Sequence, residues 1–422
     1  MIRGRERDFL KGLFDAAVAE ALPAKVVPRH LPQPPKGRLI VIGAGKASAA
    51  MAKAVEENYR GPVEGLVVTR YGHAVPCDAI EIVEAAHPVP DEKSVLAARR
   101  IRDIAEGAGP DDLVLALISG GGSALMCLPV PGLTLADKQA VNRALLASGA
   151  AIGEMNVVRK HLSAIKGGWL AAAAFPARLD ALLISDVPGD DPGLIASGPT
   201  VLDPSTAAEA EDILRRRGIV LPPAVESYFR KGPEETPKPG DERLSKAEAV
   251  LIASPMASLE AAARLAEREG AKAVILGDAI EGEAREVGRE MAAAALREKA
   301  ANPSVPLVLL SGGETSVTVR GKGRGGRNAE FLAGLALGLN GAADIFALAA
   351  DTDGIDGSEE NAGAFVMPDT LARTRGLGLD AEALLDCNDC YSLFAPLGDL
   401  VTTGPTLTNV NDFRAILILP KG

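Results

Sequence analysis

Short apolar runs alternate with longer segments of helical periodicity over most of the chain. The clearest run, at 113–118, is apolar at every position, which is typical of a strand covered on both faces. Segments with apolar residues three and four positions apart lie between such runs and predict amphipathic helices. This alternation predicts an α/β fold with a mostly parallel sheet in the N-terminal half. The main predicted strands cover residues 38–42, 65–69, 113–118, 181–184, 249–252, 273–276, 307–310, 346–350 and 415–419. The main predicted helices cover residues 6–22, 49–58, 135–146, 156–174, 255–269, 282–299 and 328–339, and the fourth of these is interrupted near Gly167.

Two of the predicted strands, 113–118 and 307–310, run directly into a Ser-Gly-Gly turn. Glycine lets the backbone turn sharply and leaves the N–H groups open to a ligand. A helix that begins after such a turn directs its N-terminus at an anion. Both turns are therefore candidate phosphate-binding loops. Their candidate residues are Ser119, Gly120, Gly121, Gly122, Ser123, Ser311, Gly312 and Gly313.

Acidic residues follow two other predicted strands. Asp186 and Asp190 come after the strand at 181–184, and Asp351 and Asp353 come at the end of the strand at 346–350. Their carboxylates are hard oxygen ligands, and Mg²⁺ binds through one or two of these together with phosphates and water. The four are the predicted metal ligands, although one of them could instead act as a base toward a hydroxyl group.

In each half of the chain the Ser-Gly-Gly turn is followed by basic residues and glycines that open a predicted helix, at 166–168 and at 324–327. A predicted strand that ends in acidic residues comes next in both halves. This order favours two α/β halves with a related plan. Strand–glycine–helix turns are common, however, so chance alignment of the motifs is the alternative.

The length of 422 residues suits two domains. The segment 231–240 is rich in proline, glycine and charge and resembles a linker or a surface loop. We therefore predict an N-terminal domain over residues 1–235 and a C-terminal domain over residues 245–422, joined near 231–246. We expect the active site in the cleft between these two lobes.

Composition narrows the classes of function. The net charge of −11 argues against nucleic acid and an anionic membrane surface as partners. No apolar run approaches the roughly 20 residues of a membrane span, and no signal-peptide core follows the N-terminus. Four cysteines in so long a chain do not form a disulfide framework. These features predict a cytoplasmic protein with small-molecule substrates, and self-association into a homodimer is left open.

The turn at 43–48 resembles two nucleotide-binding motifs and satisfies neither. Ser48 stands where the dinucleotide fingerprint has its third glycine, and Ile40 stands where the P-loop has its first. What remains is Lys46, which follows two glycines at the start of a helix, where a lysine opposes the helix dipole. An anion bound at that helix end would explain it, and an ordinary exposed lysine is the alternative.

Two further segments carry candidate groups. His87 lies in a loop before the helix that begins near residue 92, where it could contact substrate or be structural. On the predicted helix 156–174, Arg159, Ser163 and Lys166 fall on one face. A basic stripe of this kind usually faces solvent.

The ordered motifs of the whole chain resemble those of the glycerate 2-kinase family, whose C-terminal part is the MOFRL domain and whose members are often labelled hydroxypyruvate reductase. The resemblance extends from about Leu10 to the C-terminus. It is carried by Gly-Ala-Gly-Lys at 43–46, His-Pro-Val-Pro-Asp at 87–91, Ile-Ser-Gly-Gly-Gly-Ser-Ala-Leu at 118–125, Arg-Lys-His-Leu-Ser-x-Ile-Lys-Gly-Gly at 159–168, Ser-Gly-Gly-Glu-Thr at 311–315, Gly-Gly-Arg-Asn-x-Glu at 325–330, Asp-Thr-Asp-Gly-Ile-Asp-Gly at 351–357 and Thr-Gly-Pro-Thr-x-Thr-Asn-Val-Asn-Asp at 403–412.

This resemblance implies two α/β domains and ATP-dependent phosphorylation of D-glycerate to 2-phosphoglycerate with a divalent metal, for which Mg²⁺ is expected. The family's essential lysine and arginine match Lys46 and Arg327, and the nearby Arg324 keeps the second assignment open. Phosphoryl transfer needs charge neutralisation and positioning more than covalent help. His87, Glu314 and Arg324 are expected to contact substrate or to support the groups that do.

Two other functions compete with a kinase. An NAD(P)-dependent hydroxypyruvate reductase would match the common label. It would require the third glycine of the dinucleotide-binding fingerprint, and Ser48 stands at that position. A non-catalytic protein that closes two lobes over a small acid would leave the paired acidic loops unexplained.

Overall fold

The computed structural model describes residues 2–421. These residues form two compact units. The parallel-sheet unit comprises residues 23–252, and the mixed-sheet unit comprises residues 2–22 together with 253–421. Among the described residues no helix is both long enough and apolar enough to cross a membrane.

The strands and helices are numbered in chain order. The strands are β1 Leu39–Ala44, β2 Val63–Arg70, β3 Ile80–Ala85, β4 Leu113–Ile118, β5 Arg178–Ile184, β6 Ala247–Ala253, β7 Lys272–Gly277, β8 Gly282–Glu283, β9 Leu307–Gly313, β10 Thr315–Ser316, β11 Ile345–Asp351, β12 Gly363–Val366, β13 Leu400–Val401 and β14 Asp412–Ile418. The α-helices are α1 Glu6–Glu20, α2 Pro23–Val26, α3 Ser48–Asn58, α4 Glu92–Glu106, α5 Gly122–Leu125, α6 Leu135–Ala147, α7 Ile152–His161, α8 Trp169–Ala174, α9 Ala207–Arg216, α10 Pro223–Arg230, α11 Pro255–Arg268, α12 Ala284–Ala300, α13 Arg327–Leu339, α14 Thr370–Gly376, α15 Ala381–Asp386 and α16 Cys390–Phe394. Short 3₁₀ segments lie at Val27–His30, Pro188–Asp190, Ile195–Ser197, Glu242–Leu244 and Ala395–Leu397.

The parallel-sheet unit is built on six strands in the order β3-β2-β1-β4-β5-β6. The pairs β2–β3, β1–β2, β1–β4 and β4–β5 are all parallel. The first five strands therefore follow the doubly wound order of Rossmann-like folds. Every residue of β1 and β4 is buried, as their uninterrupted apolar runs predicted. The carboxyl ends of these strands lead into the turns that carry Lys46 and Ser119, which is where such folds bind ligands.

The helices α6, α7, α9 and α10 form a second, smaller core in this unit. Val141 and Leu145 of α6 pack with Val158 of α7 and with apolar residues of α9 and α10. Helix α7 ends at His161 and α8 begins at Trp169, so the interruption predicted near Gly167 is present but begins several residues earlier. Residues 162–168 instead form a turn that reverses before α8.

The mixed-sheet unit has a six-stranded sheet in the order β13-β12-β11-β14-β9-β7, and β8 and β10 form a separate parallel pair. Within the six-stranded sheet, β7 and β9 pair in parallel, whereas β14 is antiparallel to both β9 and β11. The prediction of two α/β lobes with a mostly parallel N-terminal sheet is confirmed. The interpretation of two related halves is wrong for the two sheets. The strand before the first Ser-Gly-Gly segment, β4, pairs in parallel with both of its neighbours, whereas β9 pairs in parallel with β7 and antiparallel with β14.

The N-terminal helix α1 packs in the mixed-sheet unit. Its buried Phe9, Leu10 and Phe14 share a core with Leu259 of α11 and Phe413 of β14. The compact units therefore divide at 22/23 and at 252/253, which differs from the predicted domains 1–235 and 245–422. An amphipathic pattern shows that α1 has an apolar face but does not show which sheet covers it.

The proline-rich segment predicted as the joint is anchored within the parallel-sheet unit. Asp203, which is fully buried, accepts a hydrogen bond from the Thr236 hydroxyl at 2.9 Å and another from Lys160 Nζ at 3.2 Å. The Asp203 N–H donates to the Pro237 carbonyl at 3.0 Å. The buried ion pair and these bonds explain why a segment of linker-like composition belongs to a compact unit.

Candidate active site

Lys46 lies in the tight turn between β1 and α3. Its backbone N–H donates to the Gly120 carbonyl at 2.8 Å, and the N–H of Ala47 donates to Ser119 Oγ at 3.0 Å. The Ser48 hydroxyl is buried and bonded to backbone carbonyls. The amides expected to hold an anion at this helix end are therefore already bonded to the neighbouring loop. The Lys46 side chain, which is half-buried, is the group of this turn that can meet an anion.

Gly121 brings Lys46 and His87 close together. Its φ of 80° lies in the left-handed region that favours glycine. A Cβ atom at this position would stand 3.1 Å from the His87 ring and 3.3 Å from Lys46 Cγ. The first glycine-rich segment thus lets a lysine and a histidine approach the same backbone from two sides.

Some of the other residues of this loop are buried and hold the Lys46 turn, and others are accessible. Ser119, Gly120 and Gly122 are buried, and Ser119 and Gly120 hold the Lys46 turn in place. Ser123 is half-buried, and its hydroxyl lies 2.7 Å from that of Ser197. Of the five predicted phosphate-binding residues, Gly121 and Ser123 are the ones that the structure leaves accessible.

A cavity of about 300 Å³ opens beside this loop. Gly121, Ser123 and His87 line it on one side, and side chains from α6, α7 and the following turn line it on the others. Its charged lining residues are Lys138, Arg143, Arg159 and Lys166.

Two of these cations, Lys138 and Lys166, are buried, and Arg159 is half-buried. The Lys166 side chain is one of the largest fully buried side chains, and its Nζ donates to the Met126 carbonyl at 3.1 Å. Lys138 Nζ donates to the Leu162 carbonyl at 3.0 Å. Arg159 Nε donates to Asn142 Oδ1 at 2.9 Å. The expectation that Arg159 and Lys166 form a solvent-facing stripe is therefore wrong, because the chain turns after α7 and folds Lys166 inward.

Burial governs the ionisation of these groups. It lowers the pKa of Lys166 to about 7, and the positive charge of Lys138 acts in the same direction. Burial also lowers the pKa of Lys138 and of Arg159. The cavity wall thus carries positive charge that the protein stabilises poorly.

The second Ser-Gly-Gly segment is part of a strand. Ser311, Gly312 and Gly313 form the end of β9 and pair with β14, where Gly313 lies opposite Asp412. A Cβ atom on Gly313 would stand 2.3 Å from the Ile280 nitrogen. These glycines are explained by close backbone packing, and phosphate binding by Ser311, Gly312 and Gly313 stays a prediction.

Arg327 is the centre of an ion-pair cluster in the mixed-sheet unit. As the first residue of α13 it donates from Nε to Asp412 at 2.8 Å, from Nη2 to Asp351 at 2.8 Å, and from Nη1 to Glu314. Burial alone would lower the pKa of the guanidinium, but these carboxylates raise it well above its usual value. Arg327 therefore stays charged.

The start of α13 is fixed by a buried carboxylate. Asp356 accepts hydrogen bonds from the backbone N–H of Asn328 at 2.9 Å and of Ala329 at 2.8 Å. Asn328 Nδ2 donates in turn to Asp412 at 2.8 Å. Asp356 thus caps the helix that presents Arg327, as acidic groups commonly do at helix N-termini.

Asp356 leads to a prediction about pH. Burial raises its pKa to about 7, against the effect of the two N–H groups. In an unfolded chain the ordinary value is near 3.9. Between pH 4 and 7 the folded state holds the proton more tightly, so this group lowers stability as the pH rises. We expect the parent to lose up to about 1.4 kcal/mol per pH unit relative to Asp356→Asn in this window.

Denaturant unfolding of the parent and of Asp356→Asn at pH 5 and pH 7 measures this difference. Asp212→Asn, an exposed position in α9, controls for the loss of a carboxylate in general. Parallel stability curves for the parent and Asp356→Asn across the window would contradict the assignment.

The predicted metal ligands fall into two pairs. Asp186 and Asp190 follow β5 and are half-buried, whereas Asp351 and Asp353 follow β11 and are buried. Asp351 Oδ1 accepts the N–H of Asp353 at 3.0 Å. Within residues 2–421 no group of three or more His, Cys, Asp or Glu side chains is arranged to hold a metal ion.

The remaining candidates differ in exposure. Glu314 contacts Arg327 while its side chain stays 54% exposed, so it belongs to the cluster but also reaches solvent. Arg324 is 56% exposed, and its guanidinium lies over the ring of Tyr391 at 4.8 Å. The structure thus separates the two arginines, because only Arg327 binds the carboxylate cluster.

Sequence reasoning missed several members of both sites. The sequence places Asp412 at the end of the motif 403–412 and Lys138 and Asn142 in the predicted helix 135–146, and it gives none of them a role. Only Asp412 had a usable signal, since it stands directly before an apolar strand as Asp351 stands at the end of one. Nothing in the local sequence marks Lys138 and Asn142, which share one face of α6.

Residues 9–230 match a family described as a domain of unknown function (DUF4147), and residues 307–412 match the MOFRL family. The chain is 58% identical over 417 residues to a protein of Agrobacterium vitis named putative hydroxypyruvate reductase, with 98% of this chain and 94% of that protein aligned. It is 40% identical over 407 residues to the D-glycerate 2-kinase of Thermotoga maritima, with 96% of each aligned.

A solved structure agrees with these matches. The crystal structure of glycerate kinase from Thermotoga maritima has a TM-score of 0.87 to this chain at 38% identity, covering 98% of this chain and 99% of that one. Near-complete coverage means that both sheets correspond. The chain therefore belongs to the family of MOFRL-containing glycerate kinases.

Proposed function

We propose that this protein transfers the γ-phosphoryl group of ATP to the 2-hydroxyl of D-glycerate and releases 2-phosphoglycerate and ADP. The observation that carries the proposal is the placement of Lys46 and His87 against Gly121 at the edge of a cavity lined by cations. Relatives named glycerate kinase that align over nearly the whole chain support the choice of substrate.

The reaction needs little covalent help from the protein. The glycerate oxygen forms a bond to the γ-phosphorus as the bond from phosphorus to the β-bridging oxygen breaks, and the hydroxyl proton passes to a carboxylate or to water. Lys46 supplies positive charge where charge develops on the transferring group. In a site shielded from water that charge acts more strongly than in bulk solvent.

The available carboxylates suit Mg²⁺ carried by a nucleotide. Mg²⁺ usually takes one or two protein carboxylates and completes its coordination with phosphates and water. The proposed ligands are therefore one or two of Asp186, Asp190, Asp351 and Asp353. The ion would neutralise phosphate charge.

This assignment predicts dependence on a divalent ion. We expect that thorough chelation abolishes ADP release and that added Mg²⁺ restores it, because phosphate charge must be neutralised in the transition state. Steady-state rates with EDTA, and with EDTA followed by excess Mg²⁺, measure this. Undiminished turnover after chelation would exclude the metal-assisted reaction.

One assay separates the proposal from the reductase alternative. Purified protein is given D-glycerate and MgATP, and ADP release is followed while NMR identifies which hydroxyl is phosphorylated. In parallel it is given hydroxypyruvate with NADH or NADPH. We expect ADP and 2-phosphoglycerate in the first reaction and no cofactor oxidation in the second. The bonded amides of Lys46 and Ala47 support this outcome, since a dinucleotide needs such amides for its pyrophosphate.

The cytoplasmic location and the homodimer stay predictions. The use of Lys46 and Arg327 in one reaction also stays a prediction, and the variants described in the Discussion test each residue separately.

A further inference from the structure

The cavity beside Gly121 has a polarity that calls for a particular kind of ligand. Four cationic side chains line it, and within the described chain no Asp or Glu does. Nor does any described carboxylate lie within ion-pair distance of Lys138, Arg159 or Lys166 in this structure. Buried charges are normally paired, because desolvating an unpaired charge is costly. An anion bound in the cavity would supply the missing partner.

We infer that this cavity binds the carboxylate of the acceptor, a small 2-hydroxy acid, through Arg159 and Lys166. The inference rests on the proposed function, since it takes D-glycerate as the acceptor. It assigns to these two side chains a substrate-binding role, separate from the role of Lys46 at the phosphoryl group.

The hydrogen bonds already made by Arg159 indicate how a carboxylate would bind. Its Nε donates a hydrogen bond to Asn142 Oδ1 at 2.9 Å, and this bond fixes the plane of the guanidinium. The terminal Nη1 and Nη2 form the edge that remains for a ligand. A guanidinium edge matches a carboxylate with two parallel hydrogen bonds. Asn142 therefore acts as a positioning residue for Arg159.

Lys166 adds charge without adding bulk. Its side chain is fully buried. Its Nζ donates hydrogen bonds to the Met126 carbonyl at 3.1 Å and to the Ala196 carbonyl at 3.5 Å. An ammonium has three donor hydrogens, so one remains for a ligand. The charged or titratable groups that face it are Lys138, Arg159 and the Cys127 thiol. Two of these three are cations, so an anion at this point would relieve repulsion as well as desolvation.

The rest of the cavity suits the remainder of a hydroxy acid. Most of its other lining side chains are apolar, and such surroundings strengthen a charge interaction. Ser123 and His87 line it near Gly121 and can hydrogen-bond to hydroxyl groups. A ligand held by its carboxylate would thus present hydroxyls toward the backbone beside which Lys46 lies.

The size of the cavity favours the acceptor over the nucleotide. About 300 Å³ lies at the lower end of ligand sites, which span about 300–1,000 Å³. It holds a three-carbon acid with room for ordered water but is small for a whole nucleoside triphosphate. A nucleotide occupant is therefore the outcome that the experiment must be able to detect.

The first measurement is calorimetric titration of the full-length protein with D-glycerate in the absence of nucleotide. Glyceramide, which replaces the carboxylate by a neutral amide, is the matched ligand. We expect Arg159→Gln and Lys166→Met to weaken D-glycerate binding at least tenfold, or about 1.4 kcal/mol, while glyceramide binds all forms alike. Arg159→Lys, which keeps the charge, should recover part of the loss. Arg215→Gln, an exposed position in α9, should change nothing.

The second measurement detects a proton. Burial lowers the pKa of Lys166 to about 7, so at pH 8 most of it is neutral, and a bound carboxylate should draw a proton onto it. Titrations in two buffers with different heats of ionisation should show proton uptake in the parent and none in Lys166→Met. A purely structural lysine would give equal uptake in both.

The outcomes separate this inference from the proposed function. D-glycerate affinity that is unchanged in folded Arg159→Gln and Arg159→Lys overturns the inference even if ADP release is seen. Loss of MgATP affinity in these variants with intact D-glycerate binding also overturns the inference, because the cavity would then be the nucleotide-binding site. Charge-dependent D-glycerate binding without any ADP release supports the assignment of the cavity and contradicts the proposed kinase reaction.

Discussion

Replacing Lys46 by alanine is expected to lower kcat/KM by about 10²–10³ while leaving the melting temperature near that of the parent. The ammonium extends from a turn held by backbone hydrogen bonds to Gly120 and Ser119, so removing the side chain does not remove what fixes the turn. What is lost is positive charge beside Gly121, where the proposed phosphoryl transfer takes place. Removing one preorganised electrostatic group costs this much in other enzymes.

Lys53→Ala is the matched control for Lys46→Ala. Lys53 lies in the second turn of α3, its side chain is 32% exposed, and it is paired with Glu56 at 3.8 Å. Such a pair contributes little to stability. Measured side by side, the two variants should differ at least tenfold in kcat/KM. Parental kinetics for both would mean that Lys46 is an ordinary lysine.

The N-terminal sheet was the most predictable part of the molecule. Strands such as β1 and β4 are covered on both faces, so both faces are apolar and the sequence shows an uninterrupted apolar run. Short turns after such strands are equally visible, because glycine stands where the backbone needs it. The Lys46 turn and the Gly121 turn were therefore found at the correct positions.

The cation-lined cavity could not be read from the sequence because it depends on tertiary packing. Arg159 and Lys166 have helical spacing, and helical spacing on its own predicts a shared, solvated face. The turn after His161 breaks that face and carries Lys166 inward. Lys138 and Asn142 meet these residues only because α6 packs beside α7.

Strand direction explains what was missed in the mixed-sheet unit. The sequence pointed to Asp351 because this residue stands at the end of an apolar run. In the antiparallel pair β11–β14, however, the end of one strand lies beside the beginning of the other, so Asp351 stands opposite Asp412. The same pairing continues β14 along β9 and turns the second Ser-Gly-Gly segment into strand.

Replacing Arg327 by methionine is expected to have the largest effect on stability. Asp412 is fully buried and Asp351 nearly so, and both accept a hydrogen bond from the same guanidinium at 2.8 Å. Removing the cation takes this partner from two buried carboxylates, and breaking a buried pair in this way costs about 3–5 kcal/mol. Asp412 keeps its ion pair with Arg414 at 2.7 Å, so we expect a cost near the lower end of that range. Activity should fall as well, because α13 and β11 would lose the contact that orders their ends.

Two further variants show whether charge or geometry matters at Arg327. Arg327→Lys keeps the charge but cannot reach three carboxylates from one planar fork, so it should recover only part of the stability. Arg324→Met removes an exposed arginine that packs on Tyr391, and its denaturant midpoint and kcat/KM should stay close to those of the parent. A large loss of activity in Arg324→Met with parental behaviour in Arg327→Met would reverse the assignment of the essential arginine. If Arg327→Lys matched the parent in both measurements, a single positive charge would be sufficient and the three-carboxylate geometry would have no role.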